Sequence, residues 1–316
     1  MKNIETYLTD QFPMRDRWIS IKSYAEKSIG KTENNGTFLC KDGVLINKFD
    51  EPDKSLIDTN ISAVNKLIAN TNIPVYFSLI PGAVSVCEEK LPPYAQNYSQ
   101  KEVIKNIYSK INCNTIDNYK YLDEHDEEYI YYRTDHHWTS LGAYYGYLAI
   151  ANELRLDAKK ITKYKKTNVS NDFYGTIYSS SGVRWINPDS IDIYVPSNGK
   201  KVESIVGQNA IEGVFYNYDK LDIKDKYSFF FGGNAALLKV TSDCKNDRKL
   251  LVIRDSYSDC EMPFLTEHYS VIYMMDLRYY RFGVKNFINN NEIDEILINY
   301  SISNFSTDRS LMLLGN

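Results

Sequence analysis

Long apolar runs are missing from this 316-residue sequence. No stretch approaches the roughly eighteen uninterrupted apolar residues of a membrane-spanning helix. A basic surplus is missing too. Forty-one Asp and Glu face thirty-seven Lys and Arg, a net charge of −4, which argues against a nucleic-acid binder. The five cysteines (Cys40, Cys87, Cys113, Cys244, Cys260) include no close pair. A zinc clip would show CxxC pairs and a disulfide framework a denser, even set, so both are disfavoured. Internal repeats, low-complexity tracts and Gly-rich phosphate loops are absent. Ile4–Arg17 is polar and aromatic, without the apolar core of a secretory signal, so either the protein is cytoplasmic or a leader is missing from this sequence.

What is present is the composition of a folded chain, 43% apolar and 25% charged, long enough for a sizeable core. Twenty-seven tyrosines form a surplus met at sugar- or partner-binding surfaces, or one produced by drift in base composition. Residues 1–30 read as an amphipathic helix. The turn signals Asn34-Asn35-Gly36 and Lys41-Asp42-Gly43 bracket a hairpin of Thr37–Cys40 and Val44–Asn47. Ile57–Ala69 and Lys101–Ile111 read as helices, Ile73–Ile80 as a buried strand, and Thr115-Ile116 as a short apolar segment. Strands recur at Lys249–Ile253, Ser270–Met275 and Ile293–Asn299 with helical linkers, the rhythm of an α/β layered sheet. Between about 160 and 245 the segments Val169–Ser181, Ile191–Val195, Val202–Ile205, Val214–Tyr218 and Tyr227–Phe231 are short and β-like. They predict a β-rich insertion in a single domain spanning 1–316, because no linker flanks them.

Reactive side chains concentrate in two places. In Tyr131-Tyr132-Arg133-Thr134-Asp135-His136-His137-Trp138-Thr139, two of the four histidines stand beside a carboxylate. Thr139 or Ser140 can cap the following helix, whose Leu141, Tyr144, Tyr145 and Leu148 make an apolar stripe, so Asp135–His137 lies on the loop before it. Asp135 and His137 project to one side of an extended backbone, where a carboxylate can fix the tautomer of an acid/base imidazole. Adjacent imidazoles diverge, and His125 and His268 lack ligand spacing, so no metal site is expected. In Leu250–Ser258 an apolar strand stops in Arg254-Asp255-Ser256. Ser256 then sits at the carboxyl end of a strand beside a helix N-terminus, the edge where open α/β sheets gather their active sites. Ser258 could compete for the nucleophile's role, and His268 for the base's. Ser, His and Asp together are the parts of nucleophilic acyl transfer, whereas Asp-Ser alone can be a simple cap.

Thr-Asp-His-His-Trp-Thr before a Gly-Ala helix, then Ile-Arg-Asp-Ser-Tyr-Ser far downstream, resembles the DHHW proteins of Gram-positive bacteria. These are relatives of the SGNH-hydrolase-like alginate O-acetyltransferases of the AlgX and AlgJ type. Glu5–Trp18, Lys41–Leu45, Phe173-Tyr174-Gly175-Thr176 and Asp276–Tyr280 are similar to further segments of that group. The resemblance implies an SGNH-type α/β domain with a parallel sheet flanked by helices. It assigns the nucleophile to Ser256, the base to His137 and its orienting partner to Asp135. Arg254 stands where the group's Gly-Asp-Ser has glycine, and His136 replaces a small polar residue. Asn234, after two glycines, is the first candidate for an oxyanion donor, with Asn299 and Asn304 as alternatives and Arg278, Arg254 and Tyr257 as further oxyanion or substrate candidates. The implied function is O-acetylation or O-deacetylation of an extracellular or cell-surface polysaccharide, without metal or organic cofactor. The acetyl donor would be a partner such as a membrane-bound O-acyltransferase. The location would be extracytoplasmic, through a membrane anchor upstream of Met1. The rival is a polysaccharide-binding or assembly subunit that kept the fold and lost the chemistry.

Overall fold

A computed structural model describes residues 14–196, 199–206 and 209–315. The first half of the helix expected over 1–30 lies outside them, and its second half is α1 (Arg15–Ser28). A small antiparallel sheet follows, of β1 (Glu33–Asn34), β2 (Thr37–Leu39) and β3 (Leu45–Asn47). Its two turns are the ones the sequence announces: Asn35 and Gly36 have φ of 50° and 71°, Asp42 and Gly43 of 57° and 73°. Left-handed backbone of this kind favours Gly and Asn or Asp.

The chain then alternates helix and strand. In order come α2 (Lys54–Ala69), β4 (Val75–Ile80), α3 (Ala83–Val86), α4 (Gln100–Tyr108), β5 (Asn114–Ile116), α5 (Asn118–Asp123) and α6 (Ser140–Glu153). Next are β6 (Lys165–Phe173), α7 (Thr176–Ser181), β7 (Asp189–Val195), β8 (Lys200–Val206), β9 (Asn209–Glu212) and β10 (Leu237–Ser242). The last part is β11 (Lys249–Arg254), α8 (Met262–Leu265), β12 (Val271–Met275), α9 (Val284–Asn291), β13 (Glu295–Ser301) and α10 (Ile302–Phe305). Side-chain caps fix the helix starts: Asp53 accepts from Ser55 N and Leu56 N, Ser99 from Glu102 N and Thr139 from Gly142 N.

The centre is an eight-stranded sheet in the order β5-β4-β13-β11-β12-β10-β8-β9. The first five are parallel, and β10, β8 and β9 extend them antiparallel, so the expected parallel sheet is mixed. β11 lies in the middle, and Leu250, Leu251, Val252 and Ile253 are fully buried. An unbroken apolar run with both faces covered is what a central parallel strand requires.

The middle of the chain departs furthest from expectation. β6 and β7 form a separate two-stranded ribbon, while β8, β9 and β10 belong to the central sheet. Thr176–Ser181 is helix rather than strand. Tyr227–Phe231 begins in a 3-10 turn and Val214–Tyr218 is irregular, the two touching through a single Tyr216–Phe230 bridge. Their rings pack on one another instead, Tyr216 stacking on Phe229 at 5.2 Å. Helix α6 also differs: it is buried nearly all round, and Leu141 and Leu148 of the supposed inner stripe are among its partly exposed residues. No helix among the described residues is long and apolar enough to cross a membrane.

Candidate active site

Ser256 follows β11 directly. In register, Arg254 pairs with Asn299 of β13, whose carbonyl accepts Asp255 N–H. The Asp255 carboxylate then anchors the turn. Oδ1 accepts Tyr257 N–H (3.0 Å), while Oδ2 accepts Ser301 N–H (2.9 Å), Ser301 O–H (2.7 Å) and Asn304 Nδ2 (2.7 Å). Asp255 is thus the cap that opens the 3-10 turn Ser256–Cys260, and it ties the turn to the end of β13. Ser256 is half-buried, and its own N–H makes no hydrogen bond to the described residues.

His137 comes from a loop closed by the Tyr131–Trp138 bridge, with Thr139 N–H donating to Ile130 O (2.8 Å). The buried Asp189 carboxylate holds the other limb, accepting Arg133 N–H (2.9 Å), Thr134 N–H (2.8 Å) and Thr134 O–H (2.5 Å). Trp138 points inward, and its indole N–H donates to Tyr257 O (2.8 Å), joining the loop to the serine turn.

The two segments bring three side chains into line. His137 Nδ1 lies 2.6 Å from Asp135 Oδ1, and His137 Nε2 lies 2.8 Å from Ser256 Oγ. With Nδ1–H donating to the carboxylate, Nε2 is left to accept the serine proton. The other carboxylate oxygen, Asp135 Oδ2, accepts Thr176 N–H (2.7 Å) and Thr176 O–H (2.9 Å). Gly175 allows that approach, since a Cβ there would lie 2.2 Å from Asp135 Cβ. Burial works to raise the Asp135 pKa, yet His136, His137 and the bond from Thr176 outweigh it and hold the group well below the usual carboxylate range.

Sequence reasoning missed Tyr227. Its ring lies flat on the His137 imidazole, centroids 3.7 Å apart and planes 4° from parallel. The phenol donates to Ser256 O at 3.0 Å and approaches Cys260 Sγ at 3.4 Å. No local motif marks it, because it reaches the site from an irregular segment 29 residues before Ser256. Thr176, Asp255 and Asp189 were also missed as positioning groups. Thr176 lay in a segment read as β-like and similar to one of the family's, with no role given to its side chain.

The remaining candidates have other partners. Asn234 is exposed and makes no hydrogen bond to Ser256 or His137. Asn299 donates to Glu261 Oε2 (2.6 Å) and Ser258 Oγ (3.0 Å), behind the serine turn, so Ser258 too is engaged elsewhere. Asn304 serves Asp255. Arg278 grips Asp276 through Nε (3.0 Å) and a terminal nitrogen (2.7 Å). Arg254, 0% exposed, turns away from the surface to Asp259 (2.9 Å). Tyr257 is buried, and its phenol donates to His136 O. His268 bonds Tyr147 O–H (2.8 Å), and burial pushes its imidazole down to about 4.

His136 does not diverge from His137 as expected. The rings lie side by side, centroids 3.9 Å apart, and Asp135, His136 and His137 each offer a ligand atom within 4.8 Å of the others. The Nδ1 atoms of both imidazoles are engaged, by Thr176 Oγ1 (2.7 Å) and Asp135 Oδ1, and His137 Nε2 by Ser256 Oγ (2.8 Å), so a cation bound through His137 would displace one of the contacts that align the three side chains.

The DHHW protein family model matches residues 36–275. The chain belongs to the DHHW family. A solved DHHW family protein from Eubacterium siraeum DSM 15702 is 26% identical, covering 90% of this chain and 96% of that one, with a TM-score of 0.78. Bacillus cereus PatB1 is similar in fold at 22% identity, 86% and 97% coverage and a TM-score of 0.72, and it has also been solved with a sulfonyl adduct. The O-acetyltransferase domain of Pseudomonas putida AlgJ is more distant, at 12% identity, 86% and 93% coverage and a TM-score of 0.53. None of the curated proteins matches the sequence.

Proposed function

We propose that this DHHW protein is an O-acetyltransferase, or O-acetylesterase, of an extracellular or cell-surface polysaccharide, on a single SGNH-like domain. The observation that carries the reading is the line Asp135–His137–Ser256, with its 2.6 and 2.8 Å contacts. Ser256 Oγ attacks the acetyl carbonyl of the donor while His137 Nε2 takes its proton. The oxyanion forms beside the Ser256 N–H, which has no other partner among the described residues. Collapse expels the leaving group, which receives the proton from His137, and leaves an acetyl-serine. A hydroxyl of the acceptor sugar, or water, then gives its proton to His137 and attacks, restoring Ser256. Asp135 stabilises the imidazolium in both steps without exchanging a proton.

The AlgJ neighbour supports acetyl transfer as the chemistry, and the PatB1 adduct supports a reactive nucleophile on this fold. An acetyl-carrying membrane partner as donor and an extracytoplasmic location fit this reading. Arg254, which with the tyrosine surplus best supports a non-catalytic scaffold, is paired with Asp259 inside the protein.

The test is labelling. A sulfonyl fluoride should modify Ser256, read by peptide mass spectrometry, and Ser256→Ala should abolish both labelling and hydrolysis of an activated acetyl ester. Loss should reach roughly three to six orders of magnitude, with His137→Ala similar and the double variant little worse. Hydrolysis unchanged in Ser256→Ala ends the enzymatic reading.

A further inference from the structure

Two clefts flank Asp135. One, of about 460 Å³, borders Tyr174, Gly175 and Lys224. The other, of about 300 Å³, is lined by Gln100, Asn304, Ser303 and Asn47 and reaches His136 and Tyr257, the chain neighbours of His137 and Ser256. The second has unspent hydrogen-bonding capacity. Gln100 is 2% exposed, and its Oε1 accepts Gly82 N–H at 2.8 Å. Gln100 lines this cleft, and its Nε2 makes no hydrogen bond to the described residues. The Nε2 atom is open to solvent at the cleft, so a ligand oxygen can take the place of the water it would otherwise bind.

His136 adds the complementary group. Thr176 O–H donates its one proton to Asp135 Oδ2, so His136 Nδ1 must be the donor in its bond to Thr176 Oγ1. The neutral imidazole therefore leaves Nε2 as an acceptor with no partner among the described residues. Asn304 spends Nδ2 on Asp255, which leaves Oδ1 as a second acceptor. Ser303 is exposed at the rim. The carboxylates beneath are occupied: Asp135 by His137 and Thr176, Asp255 by Tyr257, Ser301 and Asn304. The Lys48 ammonium at the edge is paired with Glu33 and Asp50.

We infer that this cleft is the acceptor subsite and that it holds a neutral sugar ring, with Gln100 Nε2 donating to one of its oxygens and His136 Nε2 and Asn304 Oδ1 accepting from its hydroxyls. Vicinal hydroxyls offer donor and acceptor together, which suits this alternation better than an anion or an apolar acyl chain. Such groups discriminate where a bound ring shuts them off from water, because a wrong ligand then leaves them unpaired. The inference rests on the proposed acetyl-serine and assigns which side of the site the acceptor enters.

The experiment follows breakdown of the acetyl-enzyme formed from para-nitrophenyl acetate. The acceptors are chitotriose, cellotriose and mannotriose, with methanol as an alcohol too small to fill the cleft. At least one trisaccharide should accelerate deacylation of the native protein. In Gln100→Glu, which keeps the Gly82 bond but replaces the donor, that acceleration should fall about tenfold relative to the methanol effect. Ser303→Trp, at the exposed rim, should reduce it likewise without altering the interior. No acceleration by any of the three sugars, or equal acceleration in both variants, overturns the subsite. Failure of the native protein to form an acetyl-enzyme instead removes the proposed function itself.

Discussion

Asp135 shows how much of this site depends on groups outside the three aligned side chains. Its carboxylate is fully buried, and burial alone would favour the protonated form, which could not stabilise an imidazolium. His136 and His137 outweigh this, and Thr176 adds two hydrogen bonds to Oδ2, which Gly175 makes possible by letting the segment come close. Gly175→Ala should therefore push Asp135 aside. Activity should fall at least tenfold, with a loss of about 1–3 kcal/mol in urea unfolding from the forced contact. Wild-type turnover in a folded Gly175→Ala protein would show that Asp135 does not need this cradle. Tyr227 deserves the parallel test, because its ring covers one whole face of His137. Tyr227→Phe keeps the ring and loses the bond to Ser256 O, whereas Tyr227→Leu loses both. If stacking on the imidazolium matters, the Leu variant alone should shift the pH–rate midpoint, with the Phe change confined to kcat. The three aligned residues were legible because Asp-x-His and Asp-Ser each sit at an element boundary. Tyr227, Thr176 and Asp189 were not, because a group recruited by tertiary packing leaves no spacing signal. Asn234 was chosen for a different reason: two glycines mark a permissive backbone, and here their φ of 79° and 109° lead into an exposed Asn234 that makes no hydrogen bond to Ser256 or His137.

At the scale of elements, α6 sets the position of the base. Its first two turns carry Gly142 and Gly146, where a Cβ would lie 2.3 Å from Ile130 O and 2.5 Å from the Trp138 ring. Small residues let the helix press Trp138 inward, so that its indole N–H reaches Tyr257 O beside the nucleophile. Gly146→Ala should displace Trp138, lowering stability by roughly 1–3 kcal/mol and slowing the acetyl-ester reaction in the same variant. An unfolding midpoint unchanged by this substitution would contradict the tight contact. The strands that build the serine's edge were readable: β4, β11, β12 and β13 lie within two residues of their expected limits. Strand direction was not, because hydrophobic patterning is the same for parallel and antiparallel neighbours, and β10, β8 and β9 could not be told from an insertion. Val214–Tyr218 and Tyr227–Phe231 misled for a different reason. Aromatic residues favour strands, but here they satisfy burial by stacking ring on ring.

Across the whole molecule, the carboxyl end of β11 gathers buried ionisable groups that titrate in opposite senses. Asp135 is held below the usual range. Burial lifts Asp259 to about 7 despite Arg254, and lifts Glu261 well above its ordinary value despite the Asn299 bond. The signs give stability two limbs. Asp135, whose folded-state pKa is depressed, contributes stability above the unfolded carboxylate value of about 4 and loses it as pH falls. Asp259 and Glu261, whose folded-state values are raised, contribute fully below about 4. Asp259 loses its contribution as pH rises through about 7, and Glu261 as pH rises through its own raised value. The urea midpoint should therefore peak on the acid side of neutrality and decline toward alkaline pH. Glu261→Gln isolates one contributor, since the amide keeps an oxygen for Asn299 Nδ2 while removing the titration. Its decline should be shallower than that of the native protein, by up to about 1.4 kcal/mol per pH unit between the unfolded carboxylate value of about 4 and the raised folded value of Glu261, where only the unfolded chain carries the charge. The acid limb should be the same in both, because Asp135 is untouched. Parallel limbs in the two proteins would mean that Glu261 ionises in the folded state as readily as in the unfolded chain, so that its pKa is not raised. The stored cost would then lie with Asp259 and its partner Arg254 instead.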